Sequence, residues 1–240
     1  MPEQILPSRL GDVPTWVARP TGDGPWPGVV VIHDANGMST DVRNHAQWLA
    51  TEGFLAAAPD LYRGGAAVRC MFRTMRDLIA GREDSVMTAT EAARTLLVKD
   101  EHCTGRVGVI GFCMGGGFAL MLATRGEYDA ASVNYGGLTD DLRTQLPQAC
   151  PIVASYGARD PTLRGVAGEL EQLLTEHGVD HDVKEYPGVG HGFMNKHPKE
   201  ERPWLLVLLG RLSRTRYDGA ATDDARRRIL AFFATHLSAP

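Results

Sequence analysis

Long apolar runs are missing from this chain. Stretches such as Trp204–Leu209 stop far short of the ~20 residues that cross a bilayer. The first thirty residues hold no basic segment followed by an apolar one, so no secretory leader is expected there. Cysteine is scarce: Cys70, Cys103, Cys113 and Cys150 show no C-x-x-C pair and no regular spacing, against a disulfide framework or a zinc knuckle. An excess of positive charge is also lacking. Lys plus Arg total 25 against 29 Asp plus Glu, the formal net charge is −4, and no basic block exceeds Arg226-Arg227-Arg228, so nucleic acid is not an expected partner. The histidines offer no metal-ligand spacing, and neither metal nor cofactor is expected. A soluble cytoplasmic protein is the resulting expectation.

Glycine, by contrast, is plentiful. The 27 glycines in 240 residues come to about 11%, against a usual share of about 7%, and point to tight turns and close backbone approaches. A chain of this length with 43% apolar residues can form a core as one domain over 1–240. Short apolar or β-branched runs at Gly28–His33, Phe54–Ala58, Arg106–Gly111, Ala131–Tyr135, Ile152–Tyr156 and His181–Tyr186 read as strands. Amphipathic stretches at Asp41–Glu52, Ser85–Leu97, Phe118–Ala123, Gly165–His177 and Asp223–His236 read as helices. Their alternation predicts an α/β fold, a mainly parallel sheet with helices on both faces. One segment breaks the pattern. From Pro203 to about Arg216 a short helix is apolar nearly all round in its first half, so something must cover it: the core, a pocket beneath a lid, or a second subunit in a homodimer.

The chemistry concentrates around Cys113. Gly111-Phe-Cys113-Met-Gly115 follows a buried strand and opens a helix, the spacing of a nucleophile elbow with cysteine in place of serine. The turn is so tight that Cβ atoms two positions either side of the nucleophile would clash. A helix starting behind Cys113 aims free N–H groups and its positive dipole end at the sulfur, which favours an anionic sulfur and a developing oxyanion. The competing nucleotide fingerprints are incomplete, since Cys113 stands at the second glycine of G-x-G-x-x-G and no P-loop lysine is present. A cysteine nucleophile needs a base, and the base needs an orienting carboxylate. Asp160, in Gly157-Ala-Arg-Asp160-Pro, and His191, in Gly188-Val-Gly-His191-Gly, follow Cys113 in the order nucleophile, acid, histidine. Each lies just past a strand, where open α/β sheets place their sites. A helix N-cap is the plainer reading of Asp160.

With these residues placed, the chain resembles the dienelactone hydrolase family, the cysteine branch of the α/β-hydrolase fold. The likeness runs over Pro27-Gly-Val-Val-Val-Ile-His-Asp34, Ala58-Pro-Asp-Leu-Tyr62, the elbow, Gly157-Ala-Arg-Asp160 and Gly190-His191-Gly-Phe193. It implies a Cys113, His191, Asp160 triad, with the N–H groups of Ala35 and Met114 as oxyanion donors and Tyr62 beside the site. The expected reaction is hydrolysis of a small-molecule ester or lactone through a thioester. A hydrolase-fold binding protein without turnover and a thioester or amide hydrolase are the alternatives. Two positions depart from the family pattern. Asp34 stands where the family has a glutamate near the resting cysteine, one methylene shorter. Asn195 replaces an arginine of the substrate-carboxylate clamp and cannot supply a charged bidentate grip. Arg73 or Arg76 corresponds to the clamp's second arginine, with a solvated helix face as the plainer reading.

Overall fold

Successive residues of Val29-Val30-Val31-Ile32 enter two different cores, because a strand turns alternate side chains to opposite faces. We describe a computed structural model of the chain, which covers residues 3–65, 67–79 and 84–238. Among these residues β1 (Glu3–Leu6), β2 (Val13–Ala18), β3 (Trp26–Ile32), β4 (Leu55–Pro59), β5 (Cys103–Phe112), β6 (Ala130–Asn134), β7 (Ile152–Gly157) and β8 (His181–Tyr186) form one sheet. The strand order is β1-β2-β4-β3-β5-β6-β7-β8, and every pairing from β4 to β8 is parallel. All six expected strands are present, β5 starting earlier than expected at Cys103. The two additional strands, β1 and β2, pair antiparallel at one edge. Their sequence signal is weak: β1 has four residues, and Pro14 interrupts the run of β2.

The helices are α1 (Thr40–Thr51), α2 (Ala67–Ile79), α3 (Asp84–Lys99), α4 (Met114–Ala123), α5 (Asp140–Gln145), α6 (Val166–Glu176), α7 (Trp204–Leu212) and α8 (Gly219–His236). Sequence periodicity identifies all but α2 and α5. On one face of the sheet, Val29 and Val31 pack with Val42, Ala46 and Leu49 of α1 and with Ala225, Ile229 and Phe233 of α8. On the other, Val30 and Ile32 pack with Ala89, Ala93 and Leu97 of α3, with α4, and with Leu170 and Leu174 of α6. Helix α4 is buried along its whole length, which explains why it carries no polar face. The core reading of the 203–216 segment does not hold, since only Leu206 of α7 is buried and the helix borders a cavity.

Arg228 ties α8 to the sheet. Its guanidinium donates to Asp182 Oδ2 and O at 2.9 and 2.7 Å, to Ala154 O and Ser155 Oγ at 3.1 Å, and to the Tyr186 hydroxyl at 3.3 Å. Removing it strands partly buried acceptors, each costing about 1–3 kcal/mol, more for a charged partner. Arg228→Ala is therefore expected to lower the unfolding free energy by about 2–4 kcal/mol in urea titrations.

Candidate active site

The site lies beyond the carboxyl ends of the parallel strands, where β3, β5, β6, β7 and β8 each release one loop. The tightest constraint is at the elbow. Cys113, the N-cap of α4, has φ 55° and ψ −117°, a conformation that costs roughly 1–3 kcal/mol for a non-glycine residue. A Cβ on Gly111 would lie 1.9 Å from Gly115 O, and one on Gly115 would lie 2.5 Å from both Ile32 O and His33 O. The glycines at both positions let α4 press against the strand ends, while Gly116 N and Gly117 N donate to Cys113 O at 2.9 and 3.2 Å.

Cys113, His191, Ala35 and Met114 line one cavity of about 510 Å³. His191 Nδ1 lies 2.5 Å from Asp160 Oδ2, and the imidazole shares the cavity with Cys113, whose sulfur favours the charged ring. Asp160 Oδ1 accepts from Thr162 N at 2.9 Å and Thr162 Oγ1 at 2.6 Å, which fixes the carboxylate's rotation. Burial opposes a charge on His191, yet the Cys113 sulfur and Asp160 outweigh it and raise the imidazole to about 10. Burial likewise works against Asp160, but His191 and Thr162 hold its carboxyl below the usual range. Tyr135, at the end of β6, sets its ring edgewise on His191 with centroids 5.2 Å apart.

Around Ala35 the turn is braced from three sides. The His33 ring is fully buried, with Nδ1 2.7 Å from Asp34 O and Nε2 accepting from Leu61 N at 3.2 Å. Desolvation lowers its pKa, so it is a neutral structural histidine. Tyr62 donates to Ala35 O at 3.1 Å and stands behind the turn. Asp34 borders the same cavity as Cys113. Its carboxylate accepts from His197 Nε2 at 2.6 Å and from Asn36 N at 2.8 Å, turned toward the loop after His191.

The Asn195 side chain is engaged by protein partners. Although it borders the cavity, it is buried, takes a hydrogen bond from the Tyr135 hydroxyl and donates to Asp41 Oδ2 at 2.7 Å. Asp41 also accepts from Lys196 N at 2.7 Å; burial disfavours its charge, but His45, His197 and that N–H hold its carboxyl at about 2. Arg73 and Arg76 are exposed on α2 and are not among the described residues lining the cavity. Sequence reasoning did not single out Tyr135, His197, Asp41 or Thr162. Only Thr162, two residues after Asp160 as in an Asx turn, carried a local signal. The remaining cavity wall is mainly apolar, with Leu138, Leu142, Leu163, Leu206 and Leu209.

Gly115→Ala is expected to displace the elbow and lower activity about 100-fold or more, since a shift of roughly 1 Å near reacting groups costs that much. Gly168→Ala, whose new Cβ meets nothing within 4 Å, serves as the stable control. The sign of the pH dependence follows from His191. Its folded value of about 10 exceeds the unfolded value, so its stabilisation is full below pH ~6.5, declines as pH rises above that, and is lost once pH passes the folded value of about 10. Urea unfolding of wild type and Asp160→Asn is expected to show the largest difference near pH ~6 and one that shrinks steadily between pH ~6.5 and pH ~10. A difference that stays flat over that range contradicts the assignment.

Comparison with known proteins gives a consistent picture. The model of the Dienelactone hydrolase family matches residues 13–237. An Escherichia coli K12 protein named "Putative carboxymethylenebutenolidase" is 26% identical over 246 residues, covering 95% of this chain and 84% of that one. Protein usf of Aquifex pyrophilus is 28% identical, with 93% of each chain covered. Among solved structures, one titled as a putative dienelactone hydrolase from Klebsiella pneumoniae superposes with TM-score 0.78 at 25% identity over 97% of each chain. A metagenomic dienelactone hydrolase-like promiscuous phosphotriesterase, at 22% identity and TM-score 0.82, shares the fold.

Proposed function

The chain belongs to the dienelactone hydrolase family, and from that premise we propose that it hydrolyses a carboxylic ester or lactone with Cys113 as nucleophile. The observation that carries this reading is that Cys113 and His191 line one cavity while His191 Nδ1 lies 2.5 Å from the buried Asp160 carboxylate.

The thiolate of Cys113 attacks the carbonyl carbon, and the carbonyl π electrons move onto oxygen. Met114, first residue of α4, has no intrahelical acceptor for its N–H, and together with the N–H of Ala35 it receives the oxyanion. As the tetrahedral species collapses, the carbon–oxygen bond breaks and the imidazolium of His191 gives its Nε2 proton to the leaving alkoxide. A thioester remains on Cys113. Neutral His191 then takes a proton from water as the water oxygen attacks the thioester; the acid departs and the thiolate–imidazolium pair is restored. Asp160 stabilises the charged ring and keeps Nδ1 protonated. The apolar wall formed by Leu138, Leu142 and Leu163 suits a substrate with a hydrophobic group beside the scissile bond.

Cys113→Ala is expected to lower kcat/KM on aryl acetates by at least about 10³-fold while leaving the fold intact by circular dichroism. Iodoacetamide is expected to label Cys113 and abolish activity, with substrate slowing the labelling. Full esterase activity in Cys113→Ala would overturn the proposal. Matched acyl esters, thioesters and amides then identify the bond cleaved.

A further inference from the structure

Helix α7 has apolar residues on two sides, and the cavity uses one of them. Leu206, Leu209 and Gly210 border the space shared with Cys113 and His191. Trp204, Leu208 and Leu212, four residues apart, line up along the helix surface and are 77%, 48% and 66% exposed. Leu212 also borders the cavity, so the exposed stripe runs onto its rim. A tryptophan and two leucines aligned in solvent form a patch rather than isolated exposed side chains.

The charge around this stripe is mainly of one sign. Between residues 196 and 217 stand six basic side chains and two acidic ones, in a chain of formal net charge −4. One of the two acids, Glu201, is engaged by Thr40 N at 2.8 Å. Arg211, Arg214 and Arg216 are exposed, and none of the three pairs with a carboxylate among the described residues. Tryptophan and leucine beside arginine is the composition of helices that lie in a lipid interface. No described helix is long and apolar enough to cross a membrane.

We propose that this face of α7 docks on an anionic lipid surface, its Trp204, Leu208 and Leu212 seated at the acyl boundary and Arg211 and Arg216 against phosphate headgroups. The cavity rim then faces the membrane, from which apolar esters can enter. The docking goes beyond the hydrolase reading and does not need it, whereas delivery of an ester does. A second copy is the poorer occupant. A two-fold contact through this face brings the arginines of one copy toward those of the other, a like-charge juxtaposition that an anionic surface converts into attraction.

Sedimentation of the full chain with vesicles of phosphatidylcholine, alone or mixed with phosphatidylglycerol, tests the proposal. Binding is expected only to the anionic vesicles, with a blue shift of tryptophan emission and release by high salt. Arg211→Ala and Arg216→Ala are each expected to weaken partitioning about fivefold. Trp204→Ala is expected to remove the blue shift while hydrolysis of a soluble aryl ester and the melting temperature stay unchanged. Equal binding to both vesicle types, or none to either, overturns the proposal. So does a dimer seen by light scattering that Trp204→Ala dissociates without any vesicle binding by wild type. Wild-type protein that binds vesicles but hydrolyses no ester refutes the hydrolase reading alone.

Discussion

Helix α4 approaches the ends of β3, β5 and β6 more closely than any side chain at the contact would allow, and the site depends on that approach. A Cβ on Gly111, Gly115 or Gly116 would fall 1.9–2.5 Å from backbone oxygen. These are backbone atoms held in the first turn of α4 and at the strand ends, so they cannot step aside as the end of a flexible side chain can. The result is a cysteine raised on a strained turn, with the first turn of a buried helix directly behind its sulfur. The positive-φ backbone at Cys113 is a cost that the surrounding core over-determines.

On this scaffold the chain buries two sets of charges side by side. One is His191 and Asp160, with the sulfur of Cys113; the other is Asp34, Asp41 and His197, with Asn195 and Tyr135 completing the hydrogen bonding. Each anion would be costly alone in such surroundings, and each has a cationic or N–H partner that offsets the desolvation. The second set joins the turn carrying Ala35 to the loop that follows His191. Through Tyr135, whose hydroxyl meets Asn195 and whose ring meets His191, the two sets touch. Placement of the His191 ring therefore depends on Tyr135 and Asn195 as well as on Asp160.

The glycine-flanked turn at Cys113 and the turns that carry Asp160 and His191 were legible in the sequence because each sits in a short local pattern: glycines at fixed offsets, or a strand end followed by a turn. The six parallel strands were legible as brief runs of apolar or β-branched residues between helical stretches. The role of Asn195 was not, because its partners Asp41 and Tyr135 lie far away in the chain and become neighbours only when β6 and α1 are in place. Asp34 is similar, its carboxylate taken by His197 from a distant loop. Helix α7 shows the limit of composition. Its apolar character promised burial, whereas the fold places it at a cavity edge with Leu206 inside and Trp204 outside.

The account rests on a covalent bond to one sulfur. Rapid quenching of the protein with an aryl ester, followed by mass spectrometry of its peptides, looks for that bond directly. A transient mass increase equal to the acyl group on the peptide containing Cys113, formed and lost at rates compatible with turnover, is the predicted result. Turnover with Cys113 unmodified throughout, or with the acyl group on another side chain, would contradict it.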